Sequence, residues 1–284
     1  MYQIVKKKVL VPDVMILFEV KAPLVAASCR AGQFVMIRMD EVGERIPLTI
    51  TDFDREAGTI TIIFQVVGKS TELMSKLEAG DCLQDFAGPL GQPSHIEKFG
   101  RVVMIGGGVG VAPIHPIARE MKLAGNEVIS ILGARNKDLL ILEEEMQKVS
   151  TEVIVTTDDG SYSRKGLVTD VLKEIMQRGK IDLVVAIGPM VMMQATCAVT
   201  KEAGIPTVVS LNPIMVDGTG MCGACRIEVG SETKFACVDG PEFDGHQVNW
   251  KLARQRSVMF AEEEKRAMLE HRHEGGGCGC GCHQ

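Results

Sequence analysis

Long hydrophobic runs are missing from this sequence: none approaches the roughly 20 apolar residues that a membrane-spanning helix needs. Aromatic residues are scarce, with one Trp and two Tyr, and the formal net charge of -6 comes without a long basic run. Nucleobases would find little surface for stacking, and phosphate backbones little attraction. Residues 1–8 also contain no signal-peptide core. We therefore expect a cytoplasmic globular protein that binds neither nucleic acid nor membrane.

The 284 residues, of which 45% are hydrophobic, are enough for two compact domains and a small lobe. Nine cysteines are present. Cys29, Cys82 and Cys197 stand alone in apolar surroundings, where cysteine usually serves as a small buried side chain. The other six fall into two groups near the carboxyl end, at 222–237 and 278–282. These two groups are the candidates for metal chemistry.

The first cysteine group has the spacing of an iron–sulfur ligand loop in which one ligand is changed. Asp217, Cys222, Cys225 and Cys237 repeat the plant-type C-x4-C-x2-C pattern with a distant fourth ligand, except that aspartate takes the first place. A loop that gathers several ligands around two irons needs unusual backbone angles, which the glycines at 218, 220 and 223 permit. The pattern predicts a [2Fe-2S] site.

Two alternatives stay open for this group. The three cysteines, with an aspartate or the nearby His246, could instead form a tetrahedral zinc site. Asp217 could also be an ordinary loop residue whose carboxylate accepts hydrogen bonds from backbone amides, while another residue or water completes the site. If Asp217 is a ligand, its hard oxygen should shift the cluster potential and make the site more sensitive to protonation.

The first part of the chain, 1–97, has the pattern of short strands separated by turns, without long helices between them. Gly88-Pro-Leu-Gly91 marks the end of this region, and 73–77 predicts one short helix. Examples of the predicted strands are 14–20, 33–38 and 59–67. This rhythm is typical of an antiparallel barrel or sandwich.

From Arg101 the pattern changes to apolar strands that alternate with glycine turns and amphipathic helices. Such alternation predicts a doubly wound parallel sheet. The expected strands are 102–105, 127–132, 152–156, 182–187 and 206–211, and the expected helices are 113–124, 140–149 and 167–178.

A glycine-rich turn follows the first strand of this sheet and leads directly into a helix. Its sequence is Gly106-Gly-Gly-Val-Gly-Val-Ala-Pro113. Glycines allow a tight turn and let a pyrophosphate approach backbone N–H groups at the positive end of the helix dipole. A turn that merely needs positive φ angles is the alternative, but the position at the first crossover favours nucleotide binding.

Three further strand ends should lie along the same carboxyl edge, where open α/β sheets bind ligands. They are 133–135, 156–160 and 187–190. Asp158 and Asp159 near a ribose would repel a 2′-phosphate, which favours NAD over NADP, whereas Arg135 would weaken that preference. Both aspartates could equally belong to a solvated turn.

Two segments of the first region carry side chains suited to a phosphate-containing cofactor. Arg45-Ile-Pro-Leu-Thr49 offers an arginine for a diphosphate and a threonine for a flavin edge. Gly68-Lys-Ser-Thr71 could offer N–H and hydroxyl donors to phosphate. From the residues alone, a surface arginine and an ordinary turn are the simpler interpretation.

The carboxyl-terminal part begins with a charged segment, 258–270, that predicts a helix. The end of the chain, 275–284, is too rich in glycine to become ordered at low cost, which favours a mobile tail. Metal binding is the alternative, and its candidate ligands are Cys278, Cys280, Cys282 and His283.

Together these motifs resemble the ferredoxin–NADP reductase superfamily, in which a flavin-binding barrel precedes a nicotinamide-binding domain. The segment 45–50 is similar to its flavin motif, 106–113 to its nucleotide loop and 187–189 to its nicotinamide-side turn. The resemblance covers roughly residues 1–250. It implies a multi-domain β plus α/β fold: an antiparallel flavin-binding β-barrel, a doubly wound parallel-sheet nucleotide-binding domain and a small [2Fe-2S] lobe.

Within this superfamily, the lobe resembles that of the small subunits of NADH-dependent ferredoxin:NADP oxidoreductases, also called sulfide dehydrogenase beta subunits. The shared features are Asp217 with the three cysteines and the stretch Ala236-Cys-Val-Asp-Gly-Pro-Glu-Phe-Asp-Gly245. Electron-transfer subunits of dihydroorotate dehydrogenase, the next resemblance, have cysteine at the place of Asp217. Ala186 departs from the superfamily, many members of which have cysteine before Gly-Pro, and the cysteine-rich end is not part of the pattern.

The resemblance implies four parts: an FAD-binding barrel at 1–97, an NAD-binding domain at 98–212, the cluster lobe at 213–250, and a helix with a Cys- and Gly-rich tail at 251–284. Its cofactors would be FAD, NAD(H) and a [2Fe-2S] cluster, and no acid or base residue would be required for catalysis. The expected partner is a large flavin and [4Fe-4S] subunit that binds NADP(H) and ferredoxin in an electron-bifurcating heterodimer.

The resemblance also assigns residues to each cofactor. Those assigned to FAD are Arg45, Pro47, Leu48, Thr49, Ile63, Gln65, Gly68, Ser70 and Thr71. Those assigned to NAD(H) are Gly106, Gly107, Gly108, Gly110, Pro113, Arg135, Asp158, Asp159, Gly188 and Pro189. The cluster ligands would be Asp217, Cys222, Cys225 and Cys237.

Two other functions remain open from the sequence. The chain could be the electron-transfer subunit of another dehydrogenase, such as dihydroorotate dehydrogenase. It could also be a non-enzymatic zinc-binding interaction module, although that function would leave the two-domain organisation unexplained.

Overall fold

Three β-sheets organise the computed structural model, which describes residues 1–275. Two sheets have seven strands each, and the third is a two-stranded hairpin. Within the described residues, each helix is too short or too polar to cross a lipid bilayer. The predicted metal site or mobile tail, from Cys278 onward, lies outside the described residues.

The first sheet is a nearly closed antiparallel barrel. Its strands are β1 (Tyr2–Val11), β2 (Met15–Lys21), β3 (Phe34–Arg38), β4 (Ile46–Asp54), β5 (Thr59–Gln65), β6 (Cys82–Leu83) and β7 (Asp85–Leu90). Their spatial order is β6-β1-β2-β5-β4-β3-β7, and every neighbouring pair is antiparallel. Alternating side chains fill the interior, where Phe18 and Phe64 meet edge-to-face with ring centroids 5.1 Å apart. The predicted barrel is confirmed.

Two short helices, α1 (Pro23–Ser28) and α2 (Lys69–Ser75), accompany the barrel. Helix α2 begins four residues before the predicted helix at 73–77. The hydroxyl of Thr71 accepts hydrogen bonds from the N–H groups of Val67 at 3.0 Å and Gly68 at 3.1 Å. These bonds satisfy donors that would otherwise be free at the helix start, so the helix forms earlier than its apolar residues indicate.

The second sheet is parallel and doubly wound, as predicted. Its strands are β8 (Arg101–Gly107), β9 (Glu127–Ala134), β10 (Glu152–Thr157), β11 (Arg164–Lys165), β12 (Leu183–Ile187) and β13 (Thr207–Ser210). Its helices are α3 (Val111–Leu123), α4 (Glu143–Val149), α5 (Val168–Gln177) and α6 (Met190–Glu202). The spatial order β11-β10-β9-β8-β12-β13 reverses direction between β8 and β12. Ligands of such sheets bind at this reversal, outside the carboxyl ends of the strands.

Two helices of this sheet differ from their predicted bounds. Helix α3 starts two residues before Pro113, because proline is tolerated in the first turn, where its missing N–H would have no partner. Helix α4 starts at Glu143 instead of residue 140, because Leu142 has a left-handed backbone with φ +56°. A separate 3-10 turn at Lys137–Leu139 precedes it.

The remaining elements form the carboxyl-terminal lobe and two helices. Strands β14 (Arg226–Val229) and β15 (Glu232–Phe235) form the hairpin, and β16 (Glu242–Asp244) pairs antiparallel with β13 of the parallel sheet. Helix α7 (Trp250–Ser257) follows, and the predicted helix at 258–270 is observed as α8 (Ala261–Gly275). The side chain of Asn249 caps α7 by accepting a hydrogen bond from the N–H of Leu252 at 3.1 Å.

The barrel and the parallel sheet meet where helix α3 rests on strand β4. Arg119 of α3 forms an ion pair with Asp52 of β4 at 2.5 Å, and His115 Nδ1 lies 3.4 Å from the carbonyl oxygen of Thr51. Burial lowers the pKa of His115, which keeps its imidazole neutral at this contact. These contacts hold the carboxyl edge of the parallel sheet beside the barrel.

Candidate functional site

Two glycine-containing turns meet at the carboxyl ends of the neighbouring strands β8 and β12. A Cβ atom on Gly110 would lie 2.2 Å from the carbonyl oxygen of Ile187, and one on Gly188 would lie 3.1 Å from the Cα atom of Gly107. Only glycine permits such an approach of two backbones. The structure therefore brings the predicted nucleotide loop and the predicted nicotinamide-side turn into direct contact.

Gly108 stands at the open side of this contact. Its φ is +57°, and a Cβ atom there would have no neighbour within 4 Å. A 3-10 turn at Gly108–Gly110 then leads into the 13-residue helix α3, whose first turn contains the half-buried Pro113. The turn thus combines an open backbone with a helix start, which suits a pyrophosphate group.

Asp158, Asp159 and Arg135 lie together at the ends of β9 and β10. The N–H of Asp158 donates to Ala134 O at 3.0 Å, and that of Asp159 donates to Arg135 O at 3.2 Å. All three side chains are exposed. Because β9 separates β10 from β8, two strand spacings, or about 10 Å, separate the strand that precedes the aspartates from the strand that leads into the first glycine turn. They therefore occupy the opposite corner of the crevice from Gly188 and Pro189.

The two aspartates differ in their own bonds. Hydrogen bonds from Ser161 lower the pKa of Asp159, whose Oδ1 accepts the Ser161 N–H at 2.9 Å. The carboxylate of Asp158 has no such bond within the described part of the chain. Asp158 is therefore the better placed of the two to meet a bound ribose.

The predicted flavin motif lies along β4 and β5 of the barrel. Arg45 is exposed just before β4, while Pro47, Leu48 and Thr49 are half-buried in β4, opposite Met36, Val35 and Phe34 of β3. Gln65 is exposed at the end of β5. Ile63 is 4% exposed and packs in the same apolar cluster as Val111 of α3. The two strands thus bring the flavin motif beside the start of α3.

The predicted phosphate turn at Gly68-Lys-Ser-Thr71 caps helix α2. Ser70 Oγ donates to Glu44 Oε2 at 3.0 Å, and the Thr71 hydroxyl is bonded within its own turn. A cavity of about 160 Å³ separates this turn from the loop before β4, and its lining includes Gly43, Glu44 and Lys69. Ser70 of this turn and Glu44 of that loop thus line the same small cavity.

The candidate ligands lie in two pairs. Three of the four belong to the segment 217–225, called here the cluster loop, and the fourth is Cys237. Cys225 Sγ and Cys237 Sγ are 3.2 Å apart and both residues are buried. Asp217 accepts hydrogen bonds from the N–H groups of Cys222 at 2.7 Å and Thr219 at 2.8 Å, which lower its pKa, with the Thr219 bond contributing most. Within residues 1–275, no three His, Cys, Asp or Glu side chains converge closely enough to hold one metal ion.

The donors nevertheless suit an iron–sulfur cluster, in which each of two irons takes two protein ligands. Backbone N–H groups of Ala224 and Cys237 point at the sulfurs of Cys222 and Cys225, both at 3.5 Å. Burial raises the pKa of the Cys237 thiol to about 12, so a bound cation is needed to hold it as thiolate. Positive φ angles at Gly218, Gly220 and Gly223 shape the loop, as predicted.

His246 is directed away from this loop. Its Nε2 lies 2.9 Å from the hydroxyl of Thr200 on α6. The zinc alternative with His246 as the fourth ligand gains no support from this contact, which connects the lobe to α6.

The cluster loop lies against the barrel. A Cβ atom on Gly218 would be 2.6 Å from Met36 Cγ of β3 and 3.0 Å from Leu90 Cδ1 of β7. Met36 is the direct partner of Pro47 in the β3–β4 pair. The candidate cluster is thus placed beside the strand pair that carries the predicted flavin motif.

Three contacts around the candidate site were missed from the sequence. Met36 packs against Gly218 of the cluster loop, and Met192 packs against Gly107 and Gly188. Arg256 of α7 donates a hydrogen bond to the cluster-loop carbonyl of Ala224 at 3.0 Å. Each depends on segments far apart in the chain. No local pattern distinguishes these residues from other methionines and arginines.

The role of Asp217 is testable by two substitutions. If Asp217 is a ligand, Asp217→Cys should shift the cluster potential and change its electron paramagnetic resonance spectrum, because a thiolate replaces a hard oxygen. Asp217→Asn, which keeps an acceptor for the loop amides, should lower cluster occupancy. An unchanged potential and spectrum in Asp217→Cys would mean that the carboxylate only accepts amide hydrogen bonds.

An antiparallel barrel followed by a parallel sheet with a glycine turn at its reversal point defines a protein with the ferredoxin–NADP reductase fold. The same fold occurs in a ferredoxin NADP+ reductase from Neisseria gonorrhoeae, with a TM-score of 0.57 over 72% of this chain and 90% of that one. At 17% identity, that likeness concerns the fold alone.

The chain belongs to the family of dihydroorotate dehydrogenase B electron transfer subunits and their homologues. A homologue from Thermotoga maritima is 48% identical, over 93% of both chains. The subunit from Streptococcus mutans is 37% identical, over 78% of this chain and 88% of its own. A protein from Clostridium beijerinckii described as an uncharacterized protein in the adh 3′ region is 53% identical over 95% of this chain and 94% of its own.

Two family models and one solved structure complete the comparison. Residues 212–249 match the iron–sulfur cluster binding domain of dihydroorotate dehydrogenase B, and 104–198 match the oxidoreductase NAD-binding domain. A chain of the NADH-dependent reduced ferredoxin–NADP oxidoreductase structure superposes with a TM-score of 0.91 at 45% identity, over 96% of this chain and 98% of that one.

These matches confirm the predicted resemblance and fold class. They identify the chain as an electron-transfer subunit of an oxidoreductase, and they support the predicted cofactors FAD, an iron–sulfur cluster and NAD(H). They do not support a non-enzymatic zinc-binding module.

Proposed function

We propose that this chain is the electron-transfer subunit of an electron-bifurcating NADH-dependent ferredoxin:NADP oxidoreductase. Electrons would pass between NAD(H) and a [2Fe-2S] cluster through FAD. The contact of Gly218 with Met36 carries the proposal, because Met36 lies on β3, which pairs with β4, a strand of the predicted flavin motif. The match at 45% identity to the chain of an enzyme with that activity supports the specific type.

The parts of the chain would divide this work as follows. The barrel at 1–97 holds FAD, the sheet at 98–212 holds NAD(H), the lobe at 213–250 holds the cluster, and 251–284 supplies the last helices and the tail. When bound, the flavin exchanges two electrons with the nicotinamide and single electrons with the cluster. The protein orients the groups and excludes water.

For FAD, the barrel offers a phosphate end and a ring end. Ser70 lines the small cavity beside α2, and Arg45, Gly68 and Thr71 are chain neighbours of its lining residues, where a guanidinium and backbone donors would suit a diphosphate. The residues proposed for the ring are Pro47, Leu48, Thr49, Ile63 and Gln65 on β4 and β5. Ile63 packs in the same apolar cluster as Val111 at the start of α3, and β4 pairs with β3, which the cluster loop contacts.

For NAD(H), the crevice between β8 and β12 supplies the binding surface. Gly108 and Gly110, at the helix start before Pro113, would bind the pyrophosphate, while Gly106 and Gly107 at the end of β8 would let the cofactor approach closely. Gly188 and Pro189 would orient the nicotinamide, and the exposed carboxylate of Asp158 would meet the adenosine ribose beside Asp159 and Arg135. No side chain needs to act as an acid or base.

A cluster on the lobe implies a second protein that takes or supplies its electrons. We propose a larger flavin and [4Fe-4S] subunit that binds NADP(H) and ferredoxin. The competing candidate is a subunit of dihydroorotate dehydrogenase type, favoured by the family model that matches 212–249. Asp217 favours the first candidate, because cysteine is expected at this place in the second.

Anaerobic co-purification tests this proposal. The tagged chain, isolated from cells that express it naturally, should carry FAD, iron and acid-labile sulfide, and NADH should bleach its visible spectrum. The co-purified complex should catalyse NADP reduction that depends on both NADH and reduced ferredoxin. A dihydroorotate-oxidising partner would decide for the competing candidate, and a colourless, iron-free chain would contradict both.

The preference for NADH is the subject of one substitution. Asp158→Ser should decrease the ratio of kcat/KM for NADH to that for NADPH by about tenfold, because a repulsive charge near the 2′-phosphate is removed while Arg135 remains. Asp159→Ser is the matched control, since the Asp159 carboxylate is engaged by Ser161. Equal effects of both substitutions, or none from Asp158→Ser, would contradict this assignment.

A further inference from the structure

Arg256, on the last turn of α7, reaches the backbone between two candidate cluster ligands. Its Nη2 donates to the carbonyl oxygen of Ala224, which lies between Cys222 and Cys225, at 3.0 Å. The residue is half-buried, and its Nε is fully buried without a hydrogen-bond partner within the described part of the chain. Burying the Nε of a guanidinium without a hydrogen-bond partner costs free energy of folding. This cost indicates that the contact of Arg256 with the cluster loop has a function.

The charge of Arg256 is not balanced by an ion pair among the described residues. The arginines that form such pairs are Arg38, Arg101, Arg119, Arg164 and Arg178. The positive charge of Arg256 is therefore available to the cluster loop itself. Because the surroundings are partly desolvated, this charge acts more strongly than it would in water.

Helix α7 is held firmly enough to keep this charge in place. Asn249 caps the helix and also donates from Nδ2 to Glu228 Oε1 at 3.0 Å, which ties it to β14. Trp250 Nε1 donates to Gly245 O at 3.0 Å. The position of Arg256 is thus fixed by the contacts of α7 with β14 and Gly245, and does not depend only on its bond to the cluster loop.

We propose that Arg256 is a positioning residue that raises the reduction potential of the cluster by holding a positive charge against the Cys222–Cys225 segment. The inference rests on the proposed presence of the cluster. Reduction adds one negative charge to a group already surrounded by three thiolates and a carboxylate. A fixed cation beside it favours the reduced form, as hydrogen bonds and charge around iron–sulfur sites generally do.

Arg226 offers a matched control. Its Nη1 donates to the adjacent carbonyl, that of Gly223, at the same distance of 3.0 Å, but Arg226 is exposed. Both arginines thus make the same kind of bond to neighbouring positions of the loop. Water and salt screen the exposed charge much more effectively.

The test is a potentiometric titration of the cluster, followed by electron paramagnetic resonance, in the co-purified complex. Arg256→Gln keeps a donor for the Ala224 carbonyl but removes the charge. It should decrease the ratio of reduced to oxidised cluster at a fixed ambient potential about tenfold, which equals about 59 mV for one electron. Arg256→Lys should stay near the wild-type potential, and Arg226→Gln should change the ratio less than about threefold.

Each result decides the matter. An unmoved potential in Arg256→Gln with intact cluster content, an equal fall in Arg256→Lys, or an equal fall in Arg226→Gln would overturn the inference. If Arg256→Gln assembles no cluster, Arg256→Lys decides: a wild-type potential supports the role of the charge, and a lowered one contradicts it. Wild-type complex without iron and sulfide would instead overturn the proposed function, and this inference with it.

Discussion

Gly110→Ala should strongly impair the use of NADH and destabilise the protein. The added Cβ atom would lie 2.2 Å from the carbonyl oxygen of Ile187, which is backbone and cannot move aside alone. Overpacking of this kind costs about 1–3 kcal/mol, and each kcal/mol lowers Tm by roughly 2–4 °C in a chain of this size. Separating the ends of β8 and β12 by even ~1 Å should lower kcat/KM for NADH about 100-fold. Thermal unfolding and steady-state NADH oxidation measure the two effects.

Gly108→Ala provides the comparison for this steric argument. A Cβ atom at Gly108 meets nothing within 4 Å, so its cost is the left-handed backbone at φ +57°, about 1–2 kcal/mol. Gly108→Asn should reduce that cost, since asparagine tolerates this conformation. Both variants should fold with a smaller loss of Tm than Gly110→Ala. An equal or greater loss would show that contact with Ile187 is not what requires glycine at 110.

Cys237→Ser should remove the cluster while leaving the other two cofactors in place. Cys237 is 3% exposed and its sulfur is paired with Cys225 Sγ, so its loss takes away a buried ligand that no neighbour replaces. We expect loss of the cluster's absorbance and paramagnetic signal, and a fall of about 100-fold or more in electron transfer to the partner subunit. Reduction of the flavin by NADH should continue, because the NAD(H) crevice lies between β8 and β12 of the parallel sheet and does not include Cys237.

The control for this experiment is Cys82→Ser. Cys82 is exposed on β6 of the barrel, far in sequence from the cluster loop. It should keep the cluster signal, the iron content and the rate of transfer to the partner. A Cys237→Ser protein that retains a wild-type paramagnetic spectrum would remove Cys237 from the ligand set.

Local sequence patterns predicted the barrel, the parallel sheet and the glycine turn because each depends on neighbouring residues. Alternating and continuous apolar segments report which faces of a strand are buried, and the glycine turn at Gly108–Gly110 follows its strand directly in the chain. Helix starts were less accurate. A hydrogen bond to the Thr71 hydroxyl sets the start of α2, and the left-handed backbone of Leu142 sets the start of α4. Hydrophobic periodicity reports neither feature.

The parts that the sequence did not predict join distant segments. The contact of Gly218 with Met36 and the hydrogen bond from Arg256 to the carbonyl of Ala224 each depend on how separate elements pack. His246 shows the same limit, because its proximity in sequence to Cys237 suggested a ligand while packing directs it to Thr200. The predicted domain boundaries and cofactor contacts stay predictions.

Strand β16 makes the iron–sulfur lobe a poor candidate for a detachable module. The chain leaves the parallel sheet after β13, builds the hairpin and the cluster loop, and returns to bond with β13 through Glu242, Phe243 and Asp244. A protein cut after residue 212 would uncover the backbone donors and acceptors of β13, which invites aggregation. Transplanting the lobe onto another reductase would require a recipient sheet with a vacant flank to receive this returning strand.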